Sequence, residues 1–193
     1  QPKMELSLLV DYLNNSRIDM TVPQFNLIAK QKNMTFDWMG MLSSVKTTGS
    51  LSDVNGHFAV NGVRFAQDKI VVTLGKVSGK YNLHKTAVGL FFGDSSTLVP
   101  SIVVKNNDEK IFELDEFAVD TNTGIEKDLF TANFKTSIEK LFANGKNFGP
   151  GHLEVATKNL DATVFANISA QIKKAQQGTE LEKQQAMLAI LPQ

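Results

Sequence analysis

Phe58-Ala59-Val60-Asn61-Gly62-Val63-Arg64-Phe65 is the stretch that decides the fold class. Apolar side chains alternate on both sides of an Asn-Gly pair, and Asn-Gly readily takes the positive φ angles of a tight reversal. The stretch therefore predicts two antiparallel strands joined by a hairpin. The same period of two extends outward in both directions. Ile18, Met20 and Val22 alternate up to Pro23. Ile70, Val72 and Leu74 alternate up to Gly75, after which Val77, Gly79, Tyr81 and Leu83 resume the spacing. Ile102 and Val104 run into Asn106-Asn107-Asp108, a cluster with turn chemistry. Phe112 and Leu114 are followed by Phe117 and Val119 with the phase moved by one, which predicts a bulge near Glu116. Phe130, Ala132, Phe134, Thr136 and Ile138 form the longest run, and Leu153, Val155 and Thr157 the last. Near the start, Leu6, Leu8, Val10 and Tyr12 read as a strand, although Met4, Leu8 and Leu9 also fit a helix.

Alternation of this kind leaves one face apolar and the other wet, the habit of antiparallel sheets. Strands that recur without long helices between them argue against βαβ units and a doubly wound fold. The C-terminus changes period. Asp161 fits an N-cap, and Val164, Phe165, Ile168 and Ile172 share one helical face. Gly178 ends that segment, and Thr179 with Glu182 matches a capping box that opens a second one, with Leu181, Leu188 and Leu191 before Pro192. The expected fold class is α+β: a mostly antiparallel, curved and meandering sheet over about 5–160, with helices at about 161–177 and 179–191 packed on or beside it. The expected organisation is a single domain over 1–193, a fragment of a longer envelope protein.

Composition removes several function classes. The chain has 193 residues, 42% of them hydrophobic, enough for a real core. Its 20 basic and 20 acidic side chains balance to zero net charge, which gives no electrostatic footprint for nucleic acid or an anionic membrane surface. The absence of cysteine excludes disulfides, thiolate catalysis and cysteine zinc sites. His57, His84 and His152 lie on separate strands without metal-ligand spacing. Gly93-Asp94-Ser95-Ser96 reads as a turn after Leu90-Phe91-Phe92, and no nucleophile elbow is present. Glu113 and Asp115 share a strand face with the spacing of a glycosidase acid pair, although carboxylates on the wet side of a strand are far commoner, and Asp120-Thr121-Asn122-Thr123-Gly124 is a partial echo of a calcium loop. Gly145 to Gly151 is glycine-rich but sits between strands, where a hairpin connection explains it. No catalytic, cofactor-binding or metal residue is assigned, and no cofactor is expected.

One cluster carries contact chemistry. Met34, Phe36, Trp38, Met39 and Met41 supply soft, adaptable side chains, although a core-filling strand and corner would use the same residues. Phe91 and Phe92 are adjacent, so if Phe91 is inward then Phe92 points outward. Phe36, Trp38, Met39, Met41, Phe91 and Phe92 are thus the candidate contacts for an apolar ligand or partner.

Two further stretches carry a family likeness. Gly89-Leu90-Phe91-Phe92-Gly93-Asp94-Ser95-Ser96 resembles the G-L-hydrophobic-hydrophobic-G-D-S segment of the YdgA-like bacterial envelope proteins, a family of unknown function. Phe148-Gly149-Pro150-Gly151-His152-Leu153-Glu154-Val155, followed by Lys158-Asn159-Leu160-Asp161-Ala162, resembles that family's Y-G-P-x-x-L and N-L-D-A signature, with Phe148 in place of the tyrosine. The likeness runs from about Trp38 to the end. It implies a periplasmic protein held at the inner membrane through a segment outside this sequence, and a distant similarity to AsmA-like proteins, whose curved sheets hold an apolar trough. The readings that follow are a non-enzymatic envelope module that holds lipid or another envelope protein, a structural or homodimerising domain, and, remotely, a hydrolase assembled from His84, Asp94 and Ser95.

Overall fold

A computed structural model of the chain describes residues 3–86, 89–127, 129–161 and 163–164. Its elements are β1 (Glu5–Val10), β2 (Ser16–Val22), β3 (Phe25–Ala29), a single 3-10 turn (Lys30–Lys32), β4 (Met34–Trp38), β5 (Met41–Thr47), β6 (Asp53–Val60), β7 (Val63–Gln67), β8 (Ile70–Leu74), β9 (Val77–Lys85), β10 (Phe91–Asn106), β11 (Glu109–Glu126), β12 (Leu129–Ile138), β13 (Lys140–Ala143), β14 (Lys146–Phe148) and β15 (Gly151–Asp161). All the strands join one sheet, and every pairing is antiparallel.

The expected α+β class is therefore overturned: the described fold is an antiparallel sheet, with no helical layer packed against it. The helices expected at about 161–177 and 179–191 fall almost wholly outside the described residues. At their start, Asp161 Oδ1 accepts the amides of Thr163 and Val164 at 2.8 and 3.0 Å, the bonds expected of an N-cap.

The pairing reduces to a simple meander. β2 runs on into β3, β4 into β5, β6 into β7, β8 into β9, β12 into β13 and β14 into β15. Neither strand of such a couple pairs with the other; both pair with the corresponding halves of the neighbouring couples. β10 and β11 are long enough to span both halves alone: β9 and β8 pair the two halves of β10, and β12 and β13 the two halves of β11. With β1 added, the described residues make nine passes, each beside the one before it. Asn107-Asp108, both at positive φ (50° and 64°), form the tight reversal between the two longest strands.

Asn61-Gly62 is thus not a hairpin turn, which corrects the sequence reading. It is the point where one pass crosses from the lower half of the sheet to the upper. Asn-Gly suits both tasks, because either one needs a residue at positive φ, here Gly62 at 134°. Gly93 to Ser96 is likewise corrected: it lies inside β10 rather than in a turn.

Every pass from the second to the ninth changes phase at this level. Val22 to Phe25, Trp38 to Met41, Val60 to Val63, Leu74 to Val77, Val99 to Ile102, Leu114 to Phe117, Ile138 to Leu141 and Phe148 to Gly151 are all three-residue steps between positions in matching rows. In an unbroken strand, residues three apart face opposite sides. One extra residue held as a bulge returns the alternation to its original side and bends the strand. Gly40 (φ 99°), Gly62, Glu116 (φ 51°) and Gly149 (φ 120°) take the positive φ that such a residue uses. The bulge expected near Glu116 is therefore present, and it is one of a row. Hydrogen bonds carry the sheet across this crease: Met39 N donates to Gly62 O at 3.1 Å, Asn61 N to Gly40 O at 2.8 Å, Gly75 N to Ser101 O at 2.9 Å and Glu139 N to Asp115 O at 3.1 Å.

Candidate functional site

Because cross-strand partners share a face, the register shows what each side of the sheet presents. Above the crease, one row reads Phe25, Trp38, Val63, Leu74, Ile102, Leu114, Leu141 and Phe148. The row beyond it reads Leu27, Phe36, Phe65, Val72, Val104, Phe112 and Ala143, and ends at Lys146. Below the crease, Val22, Met41, Val60 and Val77 line up, with Val99 and Phe117 further along. Two rows lower comes Leu8, Ile18, Val45, Gly56, Tyr81, Ser95, Thr121, Phe134 and Val155. The only formal charge in these rows is Lys146.

The other side is polar. One of its rows reads Asp19, Ser44, His57, Lys80, Ser96, Asp120, Lys135 and Glu154. The hydroxyl of Ser44, then Arg17, holds the Asp19 carboxyl below its ordinary range, and Asn133, then Lys135, does the same for Glu154. Above the crease, Glu113 accepts from Lys110 at 2.7 Å and Lys140 at 2.5 Å. These bonds lower the Glu113 pKa and raise that of Lys140. Glu113 and Asp115 are therefore held by lysines on the polar side rather than poised as an acid pair.

The apolar face is large. Eight strands at about 4.8 Å and three rows at about 6.8 Å make a hydrocarbon band of roughly 700 Å². That is above the few hundred Å² typical of the largest apolar patch on a soluble monomer. Its central side chains are half-buried by neighbours in the same layer. The edges are open: Leu6 is 65% exposed and Leu8 64% at β1, and Phe148 is 52% exposed and Leu153 55% at the far side.

The six candidate contacts do not form one cluster. Phe36 and Trp38 lie in the two upper rows, where Phe25 packs against both rings at centroid distances of 6.0 and 6.2 Å. The Trp38 indole N–H has no hydrogen-bond partner in this apolar setting. Met41 follows in the first row below the crease. Met39 sits at the crease itself, with its sulfur against Gly62, and is half-exposed. Phe91 and Phe92 lie several passes away. Phe92 is the buried member of that pair, its ring 5.3 Å from that of Phe130, while Phe91 is exposed beside Lys85. Between Phe92 and the rest of β10, Gly93 takes φ 145°, with no room for a Cβ against the Asn82 carbonyl. Sequence reasoning missed Phe25, Phe65, Val72, Leu74 and Ile102 as members of this face; the repeated three-residue step was the signal that could have found them.

The hydrolase triad is not assembled. Asp94 and Ser95 are consecutive strand residues and face opposite sides, Asn122 Nδ2 donates to Asp94 at 2.5 Å, and His84 Nδ1 pairs with Asp53 at 2.5 Å. The Ser52 hydroxyl and then His84 lower the Asp53 pKa. His57 and His152 stand apart on other strands, and among the described residues no group of three or more His, Asp or Glu could hold a metal ion. Asp120 to Gly124 runs as extended strand inside β11, so the calcium-loop echo is not a loop.

A model of the family described as bacterial protein of unknown function, DUF945, matches residues 1–192. No curated protein and no solved structure matches the chain at a significant level.

Proposed function

We propose a function on the premise that the chain belongs to DUF945, a family of bacterial proteins of unknown function: it holds the acyl chains of lipid against the apolar face of its sheet. The observation that supports this most is the near absence of charge from that face across the crease, set against a reverse side rich in charge. Hydrocarbon needs no directional partner, and each methylene removed from water contributes about 0.8 kcal/mol. The band, about 34 Å along the crease at the spacing of strands, is longer than the roughly 30 Å of a whole bilayer's hydrocarbon core. The likeness to YdgA-like envelope proteins, and through them to AsmA-like ones, supports a place on the periplasmic side of the inner membrane. In this reading the protein binds rather than catalyses.

Organic extraction and native mass spectrometry of protein purified from bacterial cells test the reading. Lipid recovered in near-stoichiometric amount is expected; protein that is lipid-free after gentle purification and takes up none from vesicles would remove it. A second reading, a structural or homodimerising module, draws on β1, whose Leu6, Leu8, Leu9 and Val10 are all more than half exposed and which pairs only with β2 among the described residues. Light scattering that returns a strict monomer at high concentration would count against that reading.

A further inference from the structure

The apolar face is not uniform. The two rows above the crease carry no hydroxyl group, whereas the rows below it carry several, crowded onto neighbouring passes. Ser95 and Thr121 are direct cross-strand partners in one row, and Thr97 stands in the next row, between Gly79 and Val119. Tyr81 shares the row of Ser95, but its ring lies across Gly56 on the far side of β9 and carries its hydroxyl away from them. Cross-strand partners hold their Cβ atoms about 5 Å apart. Ser95, Thr97 and Thr121 are half-buried, while Asp94 and Asn122 on the reverse side of the same strands are exposed.

Thr123 and Thr136 show how such a group is usually satisfied. Their hydroxyls donate to the carbonyl oxygens of Gly93 (3.2 Å) and Ala118 (3.1 Å). The hydroxyls of Ser95, Thr97 and Thr121 make no such bond within the described residues. Half-buried donors gathered on an otherwise hydrocarbon surface are matched by an occupant that brings its own acceptors.

We infer that this cluster binds the ester linkage of a glycerolipid, with the acyl chains extending over the hydroxyl-free rows across the crease. The inference rests on the lipid reading above and adds its orientation and chemical class. An ester carbonyl is an uncharged acceptor that a hydroxyl can serve. A phosphate would need a cation, and Lys80 and Lys135 belong to the polar row on the reverse side. A charged head group therefore lies beyond this cluster, and an uncharged diglyceride satisfies it fully.

The test compares binding of dioleoylglycerol, its diether analogue, phosphatidylglycerol and diphenylhexatriene, a hydrocarbon probe with no hydrogen-bonding group. Wild-type protein is expected to bind the diester about tenfold more tightly than the diether, since the ether lacks both carbonyls. It is also expected to bind dioleoylglycerol at least as tightly as phosphatidylglycerol. A variant combining Ser95→Ala, Thr97→Val and Thr121→Val is expected to erase the diester preference and to bind diphenylhexatriene as wild type does. Equal affinity of wild type for diester and diether overturns the inference, and this measurement needs no variant. A clear preference for phosphatidylglycerol overturns it too, by placing a charged group at the site. If diphenylhexatriene fails to bind as well, the lipid reading falls with it, so the two failures are distinguishable.

Discussion

Replacing Gly79 by alanine is expected to destabilise the sheet, even though glycine weakens strand interiors in general. Gly79 lies directly across from Phe58 in the pairing of β6 with β9. A Cβ built there would sit inside contact distance of the Phe58 ring, with Cζ at 2.7 Å and Cδ1 at 3.2 Å. Its φ is not in the left-handed region, so the conflict is steric and not conformational. Two effects oppose each other. Alanine reduces the entropy of the unfolded chain, which stabilises by about 0.4–1 kcal/mol. Forcing the phenyl ring off the glycine is overpacking, which costs about 1–3 kcal/mol. The second effect wins, and at about 2–4 °C per kcal/mol for a chain of this length the net fall in Tm is several degrees. Thermal unfolding followed by far-UV circular dichroism reads the shift. Gly151→Ala is the control: nothing lies within 4 Å of its Cβ position and its φ is not positive, so a neutral or slightly raised Tm is expected. A Gly79→Ala Tm equal to that of Gly151→Ala would refute the packing account. So would a Phe58→Ala, Gly79→Ala pair whose effects simply add, because removing the ring should remove the conflict.

Three further outcomes follow from the same structure. The Asp53 pKa is lowered on folding by Ser52 and His84, so its contribution to stability is present above the unfolded value near 4 and is lost as pH falls below it; Asp53→Asn should flatten the pH dependence of urea midpoints between pH 3 and 5, and an unchanged slope would contradict this. Glu113→Gln leaves Lys110 and Lys140 facing each other without their shared carboxylate, so its denaturation midpoint should drop at low salt and recover as added salt screens the repulsion; a drop independent of salt would point to packing instead. Deleting Gly62 removes the extra residue of one pass, which would turn Val63 and Phe65 to the polar side; loss of the cooperative unfolding transition is expected, and a native-like melt would speak against the bulge.

Much of the sheet was legible in the sequence, because period-two alternation depends only on local burial. The strand ends at Val22, Leu74 and Asn106, the reversal at Asn107-Asp108 and the bulge near Glu116 could all be read from local signals. The connectivity at Asn61-Gly62 could not. A hairpin and a bulge make the same local demand for positive φ, and only the pairing of β6 with β9 and of β7 with β8 tells them apart. The burial of Phe92 in place of Phe91 was hidden for a related reason: strict alternation allows either phase, and the contact with Phe130, about forty residues away in the sequence, selects one. The candidate site was legible as a chemistry, soft apolar residues on a strand, but not as a surface. Phe25, Trp38, Val63 and Leu74 become neighbours only through cross-strand register. The C-terminal helical periodicity, read from Asp161 onward, lies beyond the described residues except at its first turn.

The claim on which all of this depends is that an extra residue at the same level of each pass keeps the apolar side chains on one side of the sheet. The chain has no cysteine, so single cysteines introduced one at a time from Phe58 to Gln67 report on it without background. Their labelling rates with a charged thiol reagent, measured with and without bound lipid, test the phase directly. Lipid should protect positions 58, 60, 63 and 65 and leave 59, 61, 64 and 66 unaffected, with the change of phase at Asn61-Gly62. Protection that alternates without interruption through 58, 60, 62, 64 and 66 would contradict the account.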